Sequence, residues 1–500
     1  MDNSTVHRSE LKHKTLNSIG WSLVSQIGRQ GLMFLIGVIL ARLLSPREFG
    51  LVAMITVITN FASIFAELGF SAALIQRQDV TQEHLSSVFW LNLGAGLLLT
   101  LVFIAGAPLI AAFYGEPLLT PLTMFIATNF LISSLKIVQN TLRTKSLDFR
   151  TLSIVEISAV GISGAVAIGM AYAGLGVWSL AAQSVILSTV TAVWLWKLGN
   201  WRPSLTFSWR AVEGLLGFSL SLFGTKLLNY WVRNIDYLLV GRFLGTTPLG
   251  IYNRAYDVML TPQVGVSRVL SRVMFPSFSV IQEDKRRVRS IFLRMTRTIA
   301  LVTFPMMLGL FAITEPFVLT IFGPKWSEMV PILRLFSLTG MMQSIGTLNG
   351  NLYLSQGRAD VQFRVGLVLK LIPILGIVIG LRWGVIGVAV GYSFASIILA
   401  YPSFFFAGRL IGLTFWQLLG NLFSVLGCAV AMAALVWGVG LLLPDWPHWI
   451  VLTTQVLFGM LVYILLIHSL KIRAYQEIRE LLSEQWRLRR GRLEHISAEP

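Results

Sequence analysis

Long apolar stretches, separated by short polar connections, run along nearly the whole chain of 500 residues. A membrane-spanning helix needs about 20 mostly apolar residues to cross roughly 30 Å of hydrocarbon. The pattern therefore predicts an all-α polytopic membrane protein with 14 transmembrane helices. We place the spans at residues 17–41, 49–74, 85–111, 118–141, 152–172, 175–197, 212–241, 250–279, 291–313, 329–354, 362–381, 384–407, 417–443 and 449–470. Spans 2, 7 and 8 are the least apolar.

The distribution of Lys and Arg supports this span count and sets an orientation. With the N-terminus in the cytoplasm, the cytoplasmic segments hold 26 of the 40 basic residues, the outer segments hold 5, and nine lie within spans. Cytoplasmic loops of membrane proteins carry such an excess, so we predict that both termini are cytoplasmic. The net charge of +17 does not predict nucleic-acid binding, because the basic residues sit mostly in short loops on one side.

One motif occurs twice. Residues 39–51 (ILARLLSPREFGL) recur as residues 239–251 (LVGRFLGTTPLGI), with Arg, Leu and Gly at the same three positions. Six spans separate the copies, so both enter the membrane from the same side. This favours a parallel repeat of two six-helix lobes related by a pseudo-two-fold axis along the membrane normal. The alternative is a chance similarity between two apolar stretches that each end in a turn.

The repeat suggests a division of the chain into five parts. We predict an N-lobe of spans 1–6 (1–197), a cytoplasmic linker (198–211), a C-lobe of spans 7–12 (212–407), two extra C-terminal helices, spans 13 and 14 (408–470), and a cytoplasmic basic amphipathic tail (471–500). The tail's spacing is typical of a helix lying against lipid headgroups. The alternative is a segment that binds a partner.

Nine cations fall inside the predicted spans, where a charge costs at least a few kcal/mol unless it faces a partner or water. They are Arg29, Lys136, Lys226, Arg233, Arg254, Arg268, Arg272, Arg334 and Lys370. In spans 7 and 8 the charged residues share narrow helical faces, within arcs of about 80° and 60°. Spans 1, 2 and 4 also carry polar residues on one face. We therefore predict that spans 1, 2, 4, 7 and 8 line a hydrated cavity between the lobes.

An excess of cations in such a cavity predicts an anionic cargo, because Arg and Lys are the usual phosphate ligands. The predicted substrate-binding residues are Arg29, Lys136, Lys226, Arg233, Arg254, Arg268 and Arg272. The predicted gating or ion-coupling residues are Glu67, Asp236 and Asp257. The alternative is structural: Arg254 with Asp257, and Arg233 with Asp236, have the spacing to pair on their own helices.

Enzyme motifs are absent from the sequence. It contains no G-x-x-x-x-G-K-[ST] run, no H-E-x-x-H and no G-x-S-x-G. A membrane glycosyl polymerase or ligase would carry a large outward loop, and every predicted outer loop is at most about fifteen residues long. We expect no catalytic activity, no metal and no cofactor.

Residues 39–50 (ILARLLSPREFG) and 65–71 (FAELGFS) resemble the polysaccharide transporters of the multidrug/oligosaccharidyl-lipid/polysaccharide exporter superfamily, within the branch of O-antigen and colanic-acid-type exopolysaccharide flippases. The resemblance covers about residues 15–470. It implies a cargo of oligosaccharide repeat units on undecaprenyl diphosphate, moved across the bacterial inner membrane by alternating access without ATP. Arg29 is the first choice for contacting the diphosphate, and Glu67 matches the family's glutamate near the end of span 2.

The same resemblance implies membrane lipids as surroundings, and a polysaccharide polymerase and chain-length proteins as further partners. It also suggests that spans 13 and 14 hold the lipid tail in a groove, as in the lipid II flippase. Two alternatives stay open: a multidrug antiporter of the same superfamily, and a non-transporting scaffold of a polysaccharide assembly complex. A positive cavity would repel the cations that multidrug antiporters export, and a scaffold has no use for charges at membrane depth.

Overall fold

The structure is a computed structural model that describes residues 26, 28–67, 69–477 and 479–480. Throughout these residues the chain forms helices joined by turns and short loops, with no strand among them. This confirms the all-α prediction.

By its internal contacts the chain divides into two compact units, one ending at Asn253 and one beginning at Arg254. The helices up to that boundary are α1 (28–43), α2 (Pro46–Glu67), α3 (Phe70–Gln76), α4 (Gln82–Tyr114), α5 (Leu119–Lys145), α6 (Phe149–Tyr172), α7 (Val177–Leu198) and α8 (Trp209–Leu244). The helix α9 (Thr246–Val280) contains the boundary. It is followed by α10 (Lys285–Ile321), α11 (Met329–Ser355), α12 (Ala359–Gly380), α13 (Gly384–Arg409), α14 (Phe415–Leu441) and α15 (His448–Ser469).

Nine helical segments within the described residues are long and apolar enough to cross a membrane. The helix α2 is one of them, although the sequence placed its span among the least apolar. Another segment extends from Asp360 to Arg409 and includes both α12 and α13. A multi-pass membrane protein is therefore confirmed, and the count of fourteen spans stays a prediction.

Local sequence signals set where several helices begin. The side chains of Asp148, Asp284 and Thr414 each accept a hydrogen bond from a backbone N–H in the first turn of the next helix, at 3.0–3.3 Å. Such caps satisfy donors that have no partner inside the helix.

Partial burial works to raise the pKa of Asp148. Hydrogen bonds from Thr151 and Arg143, together with the charge of that arginine, outweigh burial and hold the pKa below its ordinary value.

The predicted second span is not one continuous helix. It breaks at Gly69, whose φ of 76° is left-handed, and the chain resumes as the short α3. A side chain at this position would stand 2.9 Å from the Ser219 carbonyl oxygen of α8. Glycine is the residue that accepts both the backbone angle and the close approach. The hydropathy pattern over 49–74 missed the break because apolar residues continue through it.

The two copies of the repeated motif meet each other. A Cβ built on Gly50 would lie 1.8 Å from the carbonyl oxygen of Thr246, at the start of α9. A Cβ built on Gly250 would lie 1.9 Å from the carbonyl oxygen of Pro46, at the start of α2. Pro46 and Thr246 occupy the same position in the two copies of the motif. The glycine of each copy therefore packs on that same position of the other copy. Small residues permit this approach of two helix backbones in a membrane.

The predicted linker is an ordered connection attached to α4. Ser204 donates its backbone N–H to the buried Ser86 hydroxyl at 3.0 Å and accepts a hydrogen bond from the Trp90 indole at 2.8 Å. The Ser208 N–H likewise bonds the Ser87 hydroxyl at 2.9 Å. The helix α8 that follows packs against α2, α3 and α4, so it belongs to the first compact unit. The predicted lobe boundary at 198–211 remains a prediction.

The core of the second unit joins α10, α11, α14 and α15, and extends to the segment after α15. Ile472 and Ala474 are buried in it. Glu477 accepts hydrogen bonds from Arg294 at 2.9 Å and Arg297 at 3.0 Å, both on α10. The first part of the predicted tail is therefore docked on α10. The rest of the tail, residues 481–500, lies outside the described residues.

Candidate functional site

One predicted cation and one predicted gating residue form an ion pair. Lys226, midway along α8, places its Nζ 2.9 Å from Oε2 of Glu67 at the end of α2. The two side chains are 39% and 37% exposed. The break at Gly69 ends α2 just after the glutamate and leaves its side chain beside α8. The structure therefore joins two residues for which separate roles were predicted.

Arg29 forms a second ion pair between helices. Its Nε lies 3.6 Å from Oε2 of Glu156 on α6, and the side chains are 38% and 49% exposed. A contact at that length through Nε leaves the two terminal nitrogens of the guanidinium to bond another acceptor. These are the nitrogens that bind a phosphate in the forked geometry.

Lys136 has no carboxylate partner among the described residues. Its Nζ lies 3.4 Å from the hydroxyl oxygen of Ser188, which joins α5 to α7. About two turns before Lys136 in α5, the Asn129 amide donates a hydrogen bond to the Ser184 hydroxyl of α7 at 3.2 Å. Polar contacts thus fix this pair of helices and position the Lys136 ammonium.

Asp236, the second predicted gating residue, is buried in α8, 5% exposed. Its carboxylate accepts hydrogen bonds from the Tyr237 backbone N–H at 3.0 Å and the Tyr252 hydroxyl at 3.2 Å. These bonds explain how an acid is tolerated at this depth in the protein. Its predicted partner, Arg233, has a side chain outside the described residues. So do the predicted substrate-binding residues Arg268 and Arg272 on α9.

In the second unit, Arg254 pairs with Asp257 one turn along α9, with Nη1 to Oδ2 at 3.6 Å. This is the pairing that the i, i+3 spacing allowed. Arg334 on α11 contacts Glu315 of α10 at 3.4 Å, and its guanidinium lies 5.0 Å from the Trp437 ring centre. Lys370 lies on α12, partly exposed.

The exposed fraction of the side chains in two of these ion pairs indicates what surrounds them. An ion pair in contact with lipid tails would be strained by the cost of removing both charges from water. The pairs Lys226–Glu67 and Arg29–Glu156 are instead more than one third exposed, and their acids, Glu67 and Glu156, lie on helices long and apolar enough to cross a membrane. We infer that water reaches them. Hydrated charges of this kind can bind a polar, charged molecule, which would have to displace or share each ion pair that it contacts.

An apolar groove lies in the second unit, with a volume of about 420 Å³. It is lined by Phe304 and Ile345 of α10 and α11, Phe404 of α13, and Trp416 and Phe423 of α14. The prediction of a tail groove named spans 13 and 14. The helix α14 lines the groove, whereas α15 contributes no lining residue among those described.

Comparisons with known proteins give a family and a fold. The profile of a family described as polysaccharide biosynthesis protein matches residues 39–331. The teichuronic acid biosynthesis protein TuaB of Bacillus subtilis is 34% identical over 313 residues, which cover 61% of this chain and 64% of TuaB. The lipopolysaccharide biosynthesis protein WzxC of Escherichia coli is 29% identical over 402 residues, 79% of this chain and 81% of WzxC.

Among solved structures, the lipid II flippase MurJ in an inward closed conformation aligns with a TM-score of 0.72. The alignment covers 91% of this chain and 99% of MurJ, at 17% sequence identity. At that identity the likeness establishes the fold. The chain therefore has a MurJ-like fold, as the resemblance over about residues 15–470 implied.

Proposed function

Because the chain belongs to the polysaccharide biosynthesis protein family, we propose that it is a flippase for lipid-linked oligosaccharides. Its cargo would be repeat units on undecaprenyl diphosphate, moved from the cytoplasmic to the periplasmic leaflet for exopolysaccharide or lipopolysaccharide synthesis. The observation that carries the proposal is the two exposed ion pairs, Lys226–Glu67 and Arg29–Glu156, in a chain with a MurJ-like fold. They supply hydrated charged groups for a polar head that has to cross a membrane.

The proposal includes the finer topology. We propose fourteen spans in two repeated lobes plus two C-terminal helices, with both termini in the cytoplasm of a bacterium and the protein in the inner membrane. The orientation is supported by the distribution of basic residues, 26 in the predicted cytoplasmic segments and 5 in the predicted outer segments. The reciprocal packing of Gly50 and Gly250, which are equivalent in the two motif copies, supports the repeat.

Arg29 would bind the diphosphate through its two terminal nitrogens, with Lys136 as a second cation. Lys226 is shared with Glu67, so its role would depend on that pair opening. The apolar groove beside α14 has the lining that a polyprenyl tail requires, because an isoprenoid chain has no polar group to satisfy. Binding of a partner such as a polymerase or chain-length protein is part of the same proposal and rests on the family alone.

The test is export in a bacterial strain that lacks its own flippase and carries the matching glycosyltransferases. The wild-type chain should restore surface polysaccharide. Arg29→Ala should lower export at least tenfold at equal protein levels in the membrane. Arg29→Lys keeps the positive charge and removes the forked geometry, so the export that it retains measures what the charge alone contributes. Arg47→Ala is the matched control, since Arg47 pairs with Glu116 at 3.2 Å and is 61% exposed. Normal export by Arg29→Ala would contradict the assignment of this residue.

The alternatives give different outcomes in reconstituted vesicles. A multidrug antiporter would move a cationic dye in exchange for protons or sodium and leave lipid-linked oligosaccharide on the side where it was loaded. A scaffold would move neither. Transport of the lipid-linked oligosaccharide by the purified protein alone would exclude both.

A further inference from the structure

The connection between α7 and α8, residues 199–208, leaves large apolar side chains uncovered at its end. Leu205 is 92% exposed and Phe207 is 53% exposed. Trp209, the first residue of α8, is 58% exposed. Neighbouring apolar side chains that no part of the fold covers mark a surface that contacts something else.

Polar groups of the same connection are bonded to the first turns of α4. Gln82 accepts a hydrogen bond from the Trp201 indole at 2.7 Å and donates one to the Arg202 carbonyl at 2.8 Å. Ser204 and Ser208 also hydrogen-bond to side chains of α4. The connection is therefore amphipathic, because polar contacts fix it to α4 while its apolar side chains remain open.

An apolar groove lies between this connection and α4, with a volume of about 530 Å³. Its lining residues all have apolar surfaces and are Trp90, Leu91, Gly94, Ala95 and Leu98 of α4 with Phe207 of the connection. The Trp90 indole nitrogen already donates to the Ser204 carbonyl at 2.8 Å. These side chains offer a ligand no free hydrogen-bonding group, so the groove suits an apolar occupant.

The groove is continuous with an apolar side of α4. This helix is long and apolar enough to cross a membrane. Leu98 of the groove, Val102 and Leu109 are each more than half exposed, and at 100° per residue they lie within about 40° of arc on the helix. Lipid tails cover such a stripe on a helix that spans a bilayer. The same tails can extend into the groove, because Leu98 belongs to both surfaces.

The length of α4 places the connection at the edge of the bilayer. A helix of 33 residues is about 50 Å long, whereas the hydrocarbon core is roughly 30 Å thick, so the first turns of α4 lie among lipid headgroups. Tryptophan, present here at positions 90 and 209, is enriched at that depth. There the irregular backbone can reach water while the apolar side chains reach the tails, which the bilayer centre would not allow.

We propose that residues 205–209 form an interfacial membrane anchor, and that the groove between Phe207 and α4 holds an acyl chain of a phospholipid in the same leaflet. Interfacial segments bury their apolar side about 5–10 Å into the boundary between headgroups and tails. Leu205 and Phe207 enter the tails, while Ser204 and Ser208 hold the connection to α4. The connection between α7 and α8 is then held by protein and lipid together, whichever cargo the protein moves.

The test measures whether lipid, water or protein surrounds two positions of this surface. The chain has one cysteine, Cys428, so Cys428→Ala gives a background on which a single new cysteine can carry a spin label. The labelled variants are Leu205→Cys and Gly94→Cys. No described atom outside its own stretch of helix lies within 4 Å of a Cβ built on Gly94, so a side chain there meets open space.

The labelled protein is reconstituted in vesicles of phosphatidylethanolamine and phosphatidylglycerol. Electron paramagnetic resonance then gives the collision rates with oxygen, which concentrates in lipid tails, and with a water-soluble nickel chelate. Val102→Cys, on the exposed stripe of α4, is the reference for lipid tails. Glu283→Cys, at an exposed position between α9 and α10, is the reference for water. We expect the ratio of oxygen to nickel collisions at Leu205→Cys and Gly94→Cys to be several-fold above that at Glu283→Cys.

Each other outcome would overturn the anchor. Nickel access at either position equal to that at Glu283→Cys would place that position in water. Exclusion of both oxygen and nickel would mean that protein covers the position, and in these vesicles the covering protein could only be a second copy of this chain. Loss of polysaccharide export would bear on the proposed function and not on this surface, because the collision rates are measured without cargo.

Discussion

Replacing either glycine of the repeated motif tests whether the two motif copies pack as closely as the structure shows. The substitutions are Gly50→Ala and Gly250→Ala. The added Cβ would stand 1.8 Å from the Thr246 carbonyl oxygen in the first case and 1.9 Å from that of Pro46 in the second. Since Cβ atoms do not come closer than 3.0 Å to such neighbours, the starts of α2 and α9 would have to separate by about 1.2 Å.

The cost follows from the kind of atom that has to move. Overpacking typically costs about 1–3 kcal/mol, and here the obstacle is backbone, which cannot rotate away as a side chain does. Alanine returns about 0.5–1 kcal/mol relative to glycine inside a helix. We expect each single variant to be less stable by about 1–2 kcal/mol. Because the two glycines share one contact, the double variant should lose less than the sum of the single losses.

The measurement is thermal unfolding of the detergent-purified protein, with the amount of protein in the membrane as a second readout. Gly106→Ala, in α4, is the matched control, because no described atom outside its own stretch of helix lies within 4 Å of the place its methyl group would take. The control should unfold at the wild-type temperature or slightly above it. If Gly50→Ala and Gly250→Ala both unfold at the wild-type temperature, the close crossing of the two motif copies is wrong.

Three further predictions concern the loops. Ser86→Ala should expose residues 199–208 to protease, because it leaves the Ser204 backbone N–H without its partner, at about 1–3 kcal/mol. Asp148→Asn should destabilise the protein at neutral pH and have less effect as the pH falls below about 3.9, because the Asp148 pKa is lowered in the folded state and its stabilisation is lost on protonation. Glu477→Gln should increase tryptic cleavage after Arg473, since two bonds to α10, worth on the order of 1 kcal/mol, are weakened.

Controls for these loop variants come from the same chain. Ser158→Ala removes a hydroxyl that bonds the Val155 carbonyl of its own helix, at 3.0 Å, and should leave the 199–208 segment protected. Asp360→Asn, which removes one partner of an exposed ion pair with Arg358 at 3.2 Å, should leave cleavage after Arg473 at the wild-type rate. Unchanged proteolysis of Ser86→Ala would contradict the contact between Ser86 and Ser204. A loss of stability in Asp148→Asn that stays constant as the pH falls through the acid range would contradict the cap at Asp148. Cleavage of Glu477→Gln at the wild-type rate would contradict the contacts of Glu477 with α10.

The candidate site was predictable in part. Helical spacing identified Lys226, Glu67 and Arg254 as charged residues on polar faces, and it indicated the Arg254–Asp257 pair directly, because both residues lie on one helix. It could not identify the partner of Lys226. Spacing along one helix gives the side of that helix on which a side chain lies, but it does not say which other helix packs on that side. Lys226 and Glu67 are 159 positions apart, so only the packing of α8 on α2 joins them.

The ring contacts between α2 and α8 were missed for a similar reason. Phe61 and Phe65 have the i, i+4 spacing of one helix face, but in a membrane protein that spacing is as typical of a lipid-facing or packing surface. Trp231 joins them only through the tertiary contact at 4.7 Å.

The sequence by itself determined the membrane class, the all-helical fold and the family, because apolar length, basic-residue distribution and short motifs are local properties of the chain. It also located the repeated motif, since a duplicated segment is visible without coordinates. Only the tertiary structure decided which charges pair, where span 2 breaks at Gly69, and that Gly50 and Gly250 meet. Each of these depends on the distance between helices that are far apart in the chain, and that distance is set by how whole faces pack.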